Sequence, residues 1–420
     1  MAREPSEKLA IDGGPRVRED PFPPRGLFGE AEKRAAIDLF DRCAQTGQAF
    51  TYNGPEDEGY CRQFAEFLGG GFADAVNSGT SAVYVALRAL EIEPFTEVIV
   101  PPITDPGGVM PVPLINCIPI PADASPGSLN MGADQLAERI TGRTSAILVA
   151  HIAGSPADME AIMEIADAAG VPVIEDCAQA HGATFGGRPV GSFGKLAAFS
   201  TMSGKHHATG GQGGVVFTRD EELYWRCRRA SDRGKPFGLD GAASNVTASL
   251  NLNIDELSAA IGRVQLAGLP GIIAARRRWA AAVAEGCLSL EAVRLETGLP
   301  ESEGVFWFLW FALDLDRLGV DKATFVAALS AEGLPVGASY FHAPSEADWW
   351  RNRSVFGSSG YPWTCPLYRG DPDADYPLPN ARAADESHFR MDFHENWTER
   401  EVADTLTALR KVEAAFTKGV

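Results

Sequence analysis

No Cys-x-x-Cys pair occurs among the seven cysteines, Cys43, Cys61, Cys117, Cys177, Cys227, Cys287 and Cys365, which are odd in number and widely spaced. Such spacing predicts neither a disulfide framework nor a zinc site, and reduced thiols are expected. Basic residues are scarce. Lys and Arg number 37 against 56 Asp and Glu, a net charge of −19, which repels nucleic-acid backbones and anionic membranes. The single short basic run, Arg276 to Arg278, is read as the polar face of a helix. Seven scattered histidines show no metal-ligand spacing, so no metal is expected. No apolar run of 18 residues suited to crossing a bilayer stands out, and no repeat at a solenoid period is visible. The opening "MAREPSEKLAIDGG" lacks the apolar core of a secretion signal, so a cytoplasmic location is expected.

What is present is the texture of a globular chain: 420 residues, 45% hydrophobic and 22% charged, enough to bury a sizeable core. A helical pattern runs from Glu30 to about Cys43, and a second near "GYCRQFAEFLGG". In "AVNSGTSAVYVALRALEI", Val83, Ala86, Leu87 and Leu90 recur at helical spacing, which sets Asn-Ser-Gly-Thr at a helix N-terminus. Apolar β-rich runs "EVIVPP", "INCIPIPAD", "TSAILVAH", "GVPVIEDCA", "LAAFSTM" and "GGVVFT" mostly alternate with helical segments. That alternation predicts an α/β fold with a mainly parallel sheet. From about Leu266 a long Ala/Arg-rich helix, the aromatic run "VFWFLWFAL" and a Pro/Gly/aromatic stretch predict a smaller α+β domain. The expected division is a large domain over 1–265 and a small one over 266–420.

Ligands of parallel α/β sheets bind beyond the carboxyl ends of the strands. Three such ends carry polar residues. "VPVIEDCAQAHGA" presents Glu175, Asp176 and Gln179. "NSGTSA" places Gly79 and Thr80 at a helix start, where free N–H groups suit a phosphate. "FSTMSGKHHATGGQGG" follows Ser200 with Lys205 five residues later. An acid, an amide, a hydroxyl, a phosphate turn and a lysine at strand ends are the kit that pyridoxal phosphate requires. A carboxylate favours the protonated pyridine ring, and the lysine supplies the Schiff-base amine. Helix capping and a solvated loop are the structural alternatives for these residues.

The chain resembles the sugar and cyclitol aminotransferases of the DegT/StrS family, fold-type I pyridoxal-phosphate enzymes, over nearly its whole length. The resemblance is carried by "NSGTSA", "HIAGSPADMEAI", "VIEDCAQAHGA", "FSTMSGKHHATGGQGG" and "NLNIDELSAAIGRVQL", in the family's order. It implies that Lys205 holds the cofactor as a Schiff base and shuttles the substrate proton. It further implies that Asp176 pairs with the pyridine nitrogen, that Gln179 lies against the ring, and that Gly79, Thr80 and Ser200 bind the phosphate. Asn251 would reach the phosphate of a neighbouring subunit, which implies a homodimer with shared sites. The implied reaction moves an amino group from a small-molecule donor, glutamate or glutamine, to a cyclic ketone such as a keto-sugar or keto-cyclitol.

The chain departs from the family pattern where relatives carry a ring-stacking aromatic, since "PPITDPGG" has Asp105. Leu252 and Asn253 stand where tyrosine and arginine are common, and Thr201 replaces a usual phenylalanine. A site more open and polar above the ring is expected, and His206 and His207 are read as exposed or hydrogen-bonded loop residues. Two other readings stay open: a relative with dehydratase-like chemistry, in which histidine would replace Lys205, and a catalytically silent regulatory relative.

Overall fold

The computed structural model describes residues 8–417; residues 1–7, on which half of the leader expectation rests, lie outside them. Strands β1 (Phe72–Val76), β2 (Glu97–Val100), β3 (Ile118–Pro121), β4 (Thr144–Ala150) and β5 (Val173–Asp176) are followed by two short strands, β6 (Thr184–Phe185) and β7 (Arg188–Pro189). Next come β8 (Leu196–Ser200) and β9 (Gly214–Thr218). A seven-stranded sheet forms in the order β1-β9-β8-β5-β4-β2-β3. All its pairings are parallel except those of β9, which runs antiparallel to both β1 and β8. Strands buried on both faces need continuous apolar runs rather than alternation, and β2, β3, β5, β8 and β9 are buried at every position.

Helices α1 (Glu30–Thr46), α2 (Pro55–Phe67), α3 (Gly79–Ala89), α4 (Met159–Ala169) and α5 (Glu221–Ser231) belong to this half, and α6 (Glu256–Cys287) leaves it. The expected helix from Glu30 thus continues to Thr46. α3 is set by its apolar face: Val83 and Leu87 are at most 2% exposed, each burial contributing ~1.5–3 kcal/mol. Ser78 accepts the Ser81 N–H at 3.1 Å as its cap. α2 is capped from a distance. The buried Glu256 carboxylate accepts the Asp57 and Glu56 N–H groups at 2.9 and 3.2 Å, occupying the positive end of that helix.

A second sheet, β10 (Val293–Leu295), β12 (Phe308–Leu313), β14 (His388–Asp392) and β13 (Val336–Gly337), is antiparallel throughout. β11 (Ser302–Glu303) instead pairs with β6. Helices α7 (Lys322–Ala331) and α8 (Glu399–Phe416) cover the second sheet. The boundary expected at 265 falls inside α6, whose residues pack in both halves. The chain also crosses the division twice. Leu9 packs in the C-terminal core, whereas Trp350, Trp363 and Tyr368 pack on the large sheet, where Tyr368 Oη donates to Glu97 at 3.0 Å.

Two expectations need correction in α6. By length and composition it passes as a membrane span, contrary to the reading that no such stretch exists; its apolar face here lies in two protein cores. Arg276, taken for part of a polar face, is 1% exposed, because Glu395 pairs with it at 2.9 Å.

Candidate active site

β5 ends in two consecutive carboxylates that the pleat sends to opposite sides. Glu175 points into the fold and accepts the N–H groups of Gly191, Phe193 and Gly194, each at 2.7 Å. His151 Nδ1 accepts the Ala157 N–H at 3.1 Å, so its Nε2 carries the proton and donates to Glu175 at 3.3 Å. Cys177 completes a cluster whose ligand atoms lie within 4.8 Å of one another. Hydrogen bonds already engage its histidine and carboxylate, and burial raises the thiol, so the cluster is a polar prop of the core.

Asp176 faces the carboxyl edge of the sheet. Its Oδ1 accepts the Ala178 N–H at 3.0 Å, and Oδ2 stands where a side chain at Gly108 would begin, 2.8 Å from the Cβ position. Burial pushes the carboxyl above the ordinary range, against the Ala178 N–H and the charge of Lys205; Asp105 adds to the rise. Gln179 is held at both ends of its amide: Oε1 accepts the Ala153 N–H at 2.8 Å, and Nε2 donates to Tyr340 Oη at 2.6 Å.

Lys205 lies in the turn after β8, its N–H bonded to the Met202 carbonyl at 2.9 Å. It is 6% exposed, and Nζ sits 4.1 Å from the centroid of the Trp307 ring. Burial pulls its ammonium below the ordinary lysine range, while Asp176 and Asp105 oppose that fall. Among the described residues another lysine with a little-exposed side chain, Lys411, pairs with Glu332 at 2.9 Å. Lys205 makes no such pair, which leaves a desolvated amine poised for chemistry.

The start of α3 and the end of β8 meet at Gly79, whose absent Cβ would lie 2.6 Å from Ser200 Cβ. Only glycine permits that approach. Thr80 is exposed beside it, and the first N–H groups of an α-helix have no helical partner, so the Thr80 and Ser200 hydroxyls and the backbone at the start of α3 form a candidate phosphate cradle. Asp105 accepts the Gly107 N–H at 2.9 Å and fixes the neighbouring turn.

Asn251 is the predicted site residue that the chain does not bring to Lys205. It is exposed, and its carboxamide accepts from Asn253 at 2.6 Å. His206 and His207 are not exposed: both are fully buried. His207 bonds Tyr60 Oη and His181, each at 2.9 Å, and burial pushes its pKa down to about 3. They buttress the lysine loop from behind. Three further residues came without a sequence signal: Trp307, which stands just before β12 rather than inside it; Tyr340; and Arg25, which donates to the carbonyls of Lys205 and His206 at 2.6 and 2.8 Å.

The sequence profile of the DegT/DnrJ/EryC1/StrS aminotransferases matches residues 30–409. The chain belongs to this family. It is 35% identical over 280 residues to the dTDP-3-amino-3,4,6-trideoxy-alpha-D-glucose transaminase of Streptomyces venezuelae, covering 64% of this chain and 73% of that one. It is 32% identical over 352 residues to the L-glutamine:2-deoxy-scyllo-inosose aminotransferase of Streptomyces kanamyceticus, covering 80% and 81%. Among solved structures, the aminotransferase of Psychrobacter cryohalolentis superimposes with a TM-score of 0.81 at 29% identity, covering 95% of this chain and all of that one. A 3-amino-5-hydroxybenzoic acid synthase gives 0.79 at 27% identity, over 94% and 99%.

As a DegT/DnrJ/EryC1/StrS aminotransferase the protein is a pyridoxal-phosphate-dependent transaminase, and the residues present fit that cofactor. The cradle at Gly79, Thr80 and Ser200 offers donors to a phosphate, Asp176 offers a carboxylate to a ring nitrogen, and Lys205 offers the amine. Asp105 stands close enough to this set to influence both Asp176 and Lys205. Trp307 and Tyr340, 6.0 Å apart between centroids, form an aromatic wall beside the lysine.

Proposed function

We propose that the protein moves an amino group from glutamate or glutamine to a hydroxylated cyclic ketone, a keto-cyclitol or keto-sugar. The carrying observation is Lys205: buried, without an ion-pair partner, and between a buried carboxylate and an aromatic wall. The cofactor supplies an electron sink and a carbonyl that exchanges amines. Asp176 keeps a positive charge on the ring nitrogen through its carboxylate. Lys205 Nζ takes and returns the substrate proton, a task that its lowered pKa suits. Gln179, fixed by Ala153 and Tyr340, holds the ring's polar edge. Lysine at position 205 disfavours the dehydratase-like reading. The relatives named for L-glutamine and a keto-cyclitol, or for a dTDP-sugar, support the donor and acceptor classes.

Acceptor class is read directly in single-turnover spectra of the amine-loaded protein. Tyr340 Oη is buried and accepts from Gln179, so its own O–H is a donor that an apolar ketone would leave unpaired, at roughly 1 to 3 kcal/mol. Keto-cyclitols or keto-sugars should therefore restore the aldehyde-form band on the order of tenfold faster, or more, than branched-chain keto acids. Faster reaction with the keto acids would overturn the proposed acceptor.

The active assembly is proposed to be a homodimer in the cytoplasm, acting on small molecules and on neither nucleic acid nor membrane, a reading that the charge of −19 favours. Exposed apolar side chains on and around α1 (Phe28, Ile37 and Phe40) and on the 239–250 segment (Leu239, Val246 and Leu250) offer faces for a second copy. Seven free cysteines suit a reducing compartment. With Asn251 reaching the partner's phosphate, a mixed dimer of Asn251→Ala and Lys205→Ala protomers should recover one intact site and about half of the wild-type activity per dimer. A cofactor-loaded monomer at working concentration, or mixed dimers without activity, would refute the shared-site assembly.

A further inference from the structure

Residues 8–29 precede the span that the family profile matches, and they are not loose. The backbone N–H groups of Ala10 and Val17 donate to the buried Glu332 carboxylate at 2.8 and 3.0 Å, which Lys411 neutralises at 2.9 Å. Arg18 pairs with Glu401 at 2.9 Å and with Asp404 at 2.7 Å. Phe22 packs on Trp397, 5.3 Å between centroids, and the Pro23 carbonyl accepts from His394 at 2.8 Å. The segment is thus a strap fastened to the C-terminal half, and its last stretch before α1 delivers Arg25 to the lysine loop.

Arg25 uses every face of its fork. Nη1 and Nη2 donate to the carbonyls of Lys205 and His206 at 2.6 and 2.8 Å, and Nε pairs with Glu395 at 2.8 Å. The other oxygen of Glu395 holds Arg276 Nε at 2.9 Å, and Arg276 Nη1 donates to the carbonyls of Phe306 at 2.8 Å and of Trp307 at 3.4 Å. One carboxylate between two guanidinium groups therefore couples the main chain of the lysine to the main chain of the tryptophan whose ring it faces. Arg25 is half-buried, its side chain 17% exposed, and its planar fork satisfies two carbonyls and a carboxylate at once.

We infer that Arg25 is a positioning residue of the reaction, fixing the Lys205 loop and, through Glu395 and Arg276, its spacing from Trp307. This rests on Lys205 being the reacting lysine. A flexible ammonium keeps the charge opposite Glu395 but does not reproduce the planar fork, so Arg25→Lys separates positioning from charge balance, with Arg25→Met as the harsher variant. In Arg25→Lys, amides of 202–209 should exchange with deuterium about tenfold faster or more in the cofactor-free protein, with α6 and the second sheet unchanged. In the loaded enzyme, kcat should fall on the order of tenfold or more, with donor KM within about threefold, and the visible circular dichroism of the bound cofactor should change. Wild-type exchange in the loop, or faster exchange with wild-type kcat and dichroism, overturns the inference. Wild-type protein that takes up no cofactor at all would instead fail the proposed function, and the exchange arm would still judge the clamp. If Arg25→Met does not fold, Arg25→Lys decides alone.

Discussion

Lys205→Ala should fold as the wild type does, lose all borohydride-fixable cofactor, and lose transamination by a factor on the order of 10³ or more, since proton transfer by a positioned side chain alone contributes ~10²–10⁴. The fold survives because the Lys205 side chain makes no ion pair among the described residues and lies against the face of Trp307. Burial already disfavours its charge, so alanine removes a strained cation rather than a support. The loop keeps its shape through backbone bonds: Lys205 N–H to Met202, and Arg25 to the carbonyls of residues 205 and 206. Added pyridoxal phosphate should still bind at the Gly79, Thr80 and Ser200 cradle, now noncovalently and removable by dialysis. Mass spectrometry of the reduced wild-type protein should find the label on the peptide containing Lys205. A label on another lysine, or unchanged labelling in Lys205→Ala, removes Lys205 from the chemistry.

The parts of the site readable in the sequence share one property: each lies within a few residues of a strand end or helix start. Asp176, Gln179, Ser200 and Lys205 follow β5 and β8, and Gly79 and Thr80 open α3. Local pattern fixes the element, and the element fixes the edge at which its last residues emerge. The second tier obeys no local rule. Arg25 meets Lys205 across 180 positions, Tyr340 meets Gln179 across 161, and Glu256 caps α2 across 199 or more. Each is a polar side chain recruited by burial after the topology is set. Arg276 illustrates the error this invites. Three consecutive arginines on a helix read as a solvated face, yet their 100° spacing sends one of them inward, where Glu395 waits. Trp307 escapes a local reading in the same way: it belongs to the aromatic run but stands just before β12, and its ring faces Lys205.

Asp176→Asn carries the second large effect, and stability and activity should move in opposite directions. In the cofactor-free chain the carboxyl is buried and its pKa is raised. A raised folded-state value means that protonation favours the folded chain; this contribution is complete below the unfolded value, about 3.9 for Asp, and is lost as pH rises through the folded value. Above that range the carboxylate opposes folding. Asparagine carries no charge, and its Oδ1 still accepts the Ala178 N–H. Cofactor-free Asp176→Asn should therefore unfold at a higher temperature than wild type at about pH 8, with the advantage shrinking as pH falls toward about 4. With cofactor the order reverses, because the wild-type carboxylate gains a partner that asparagine does not: the thermal shift produced by pyridoxal phosphate should be larger for wild type. Turnover of Asp176→Asn should drop on the order of 10²–10³, the effect of losing ~3–4 kcal/mol of electrostatic stabilisation from a water-poor site. Near-normal turnover would show that Asp176 is a capping residue and nothing more, and a cofactor-free variant no more stable than wild type at high pH would refute the destabilising charge.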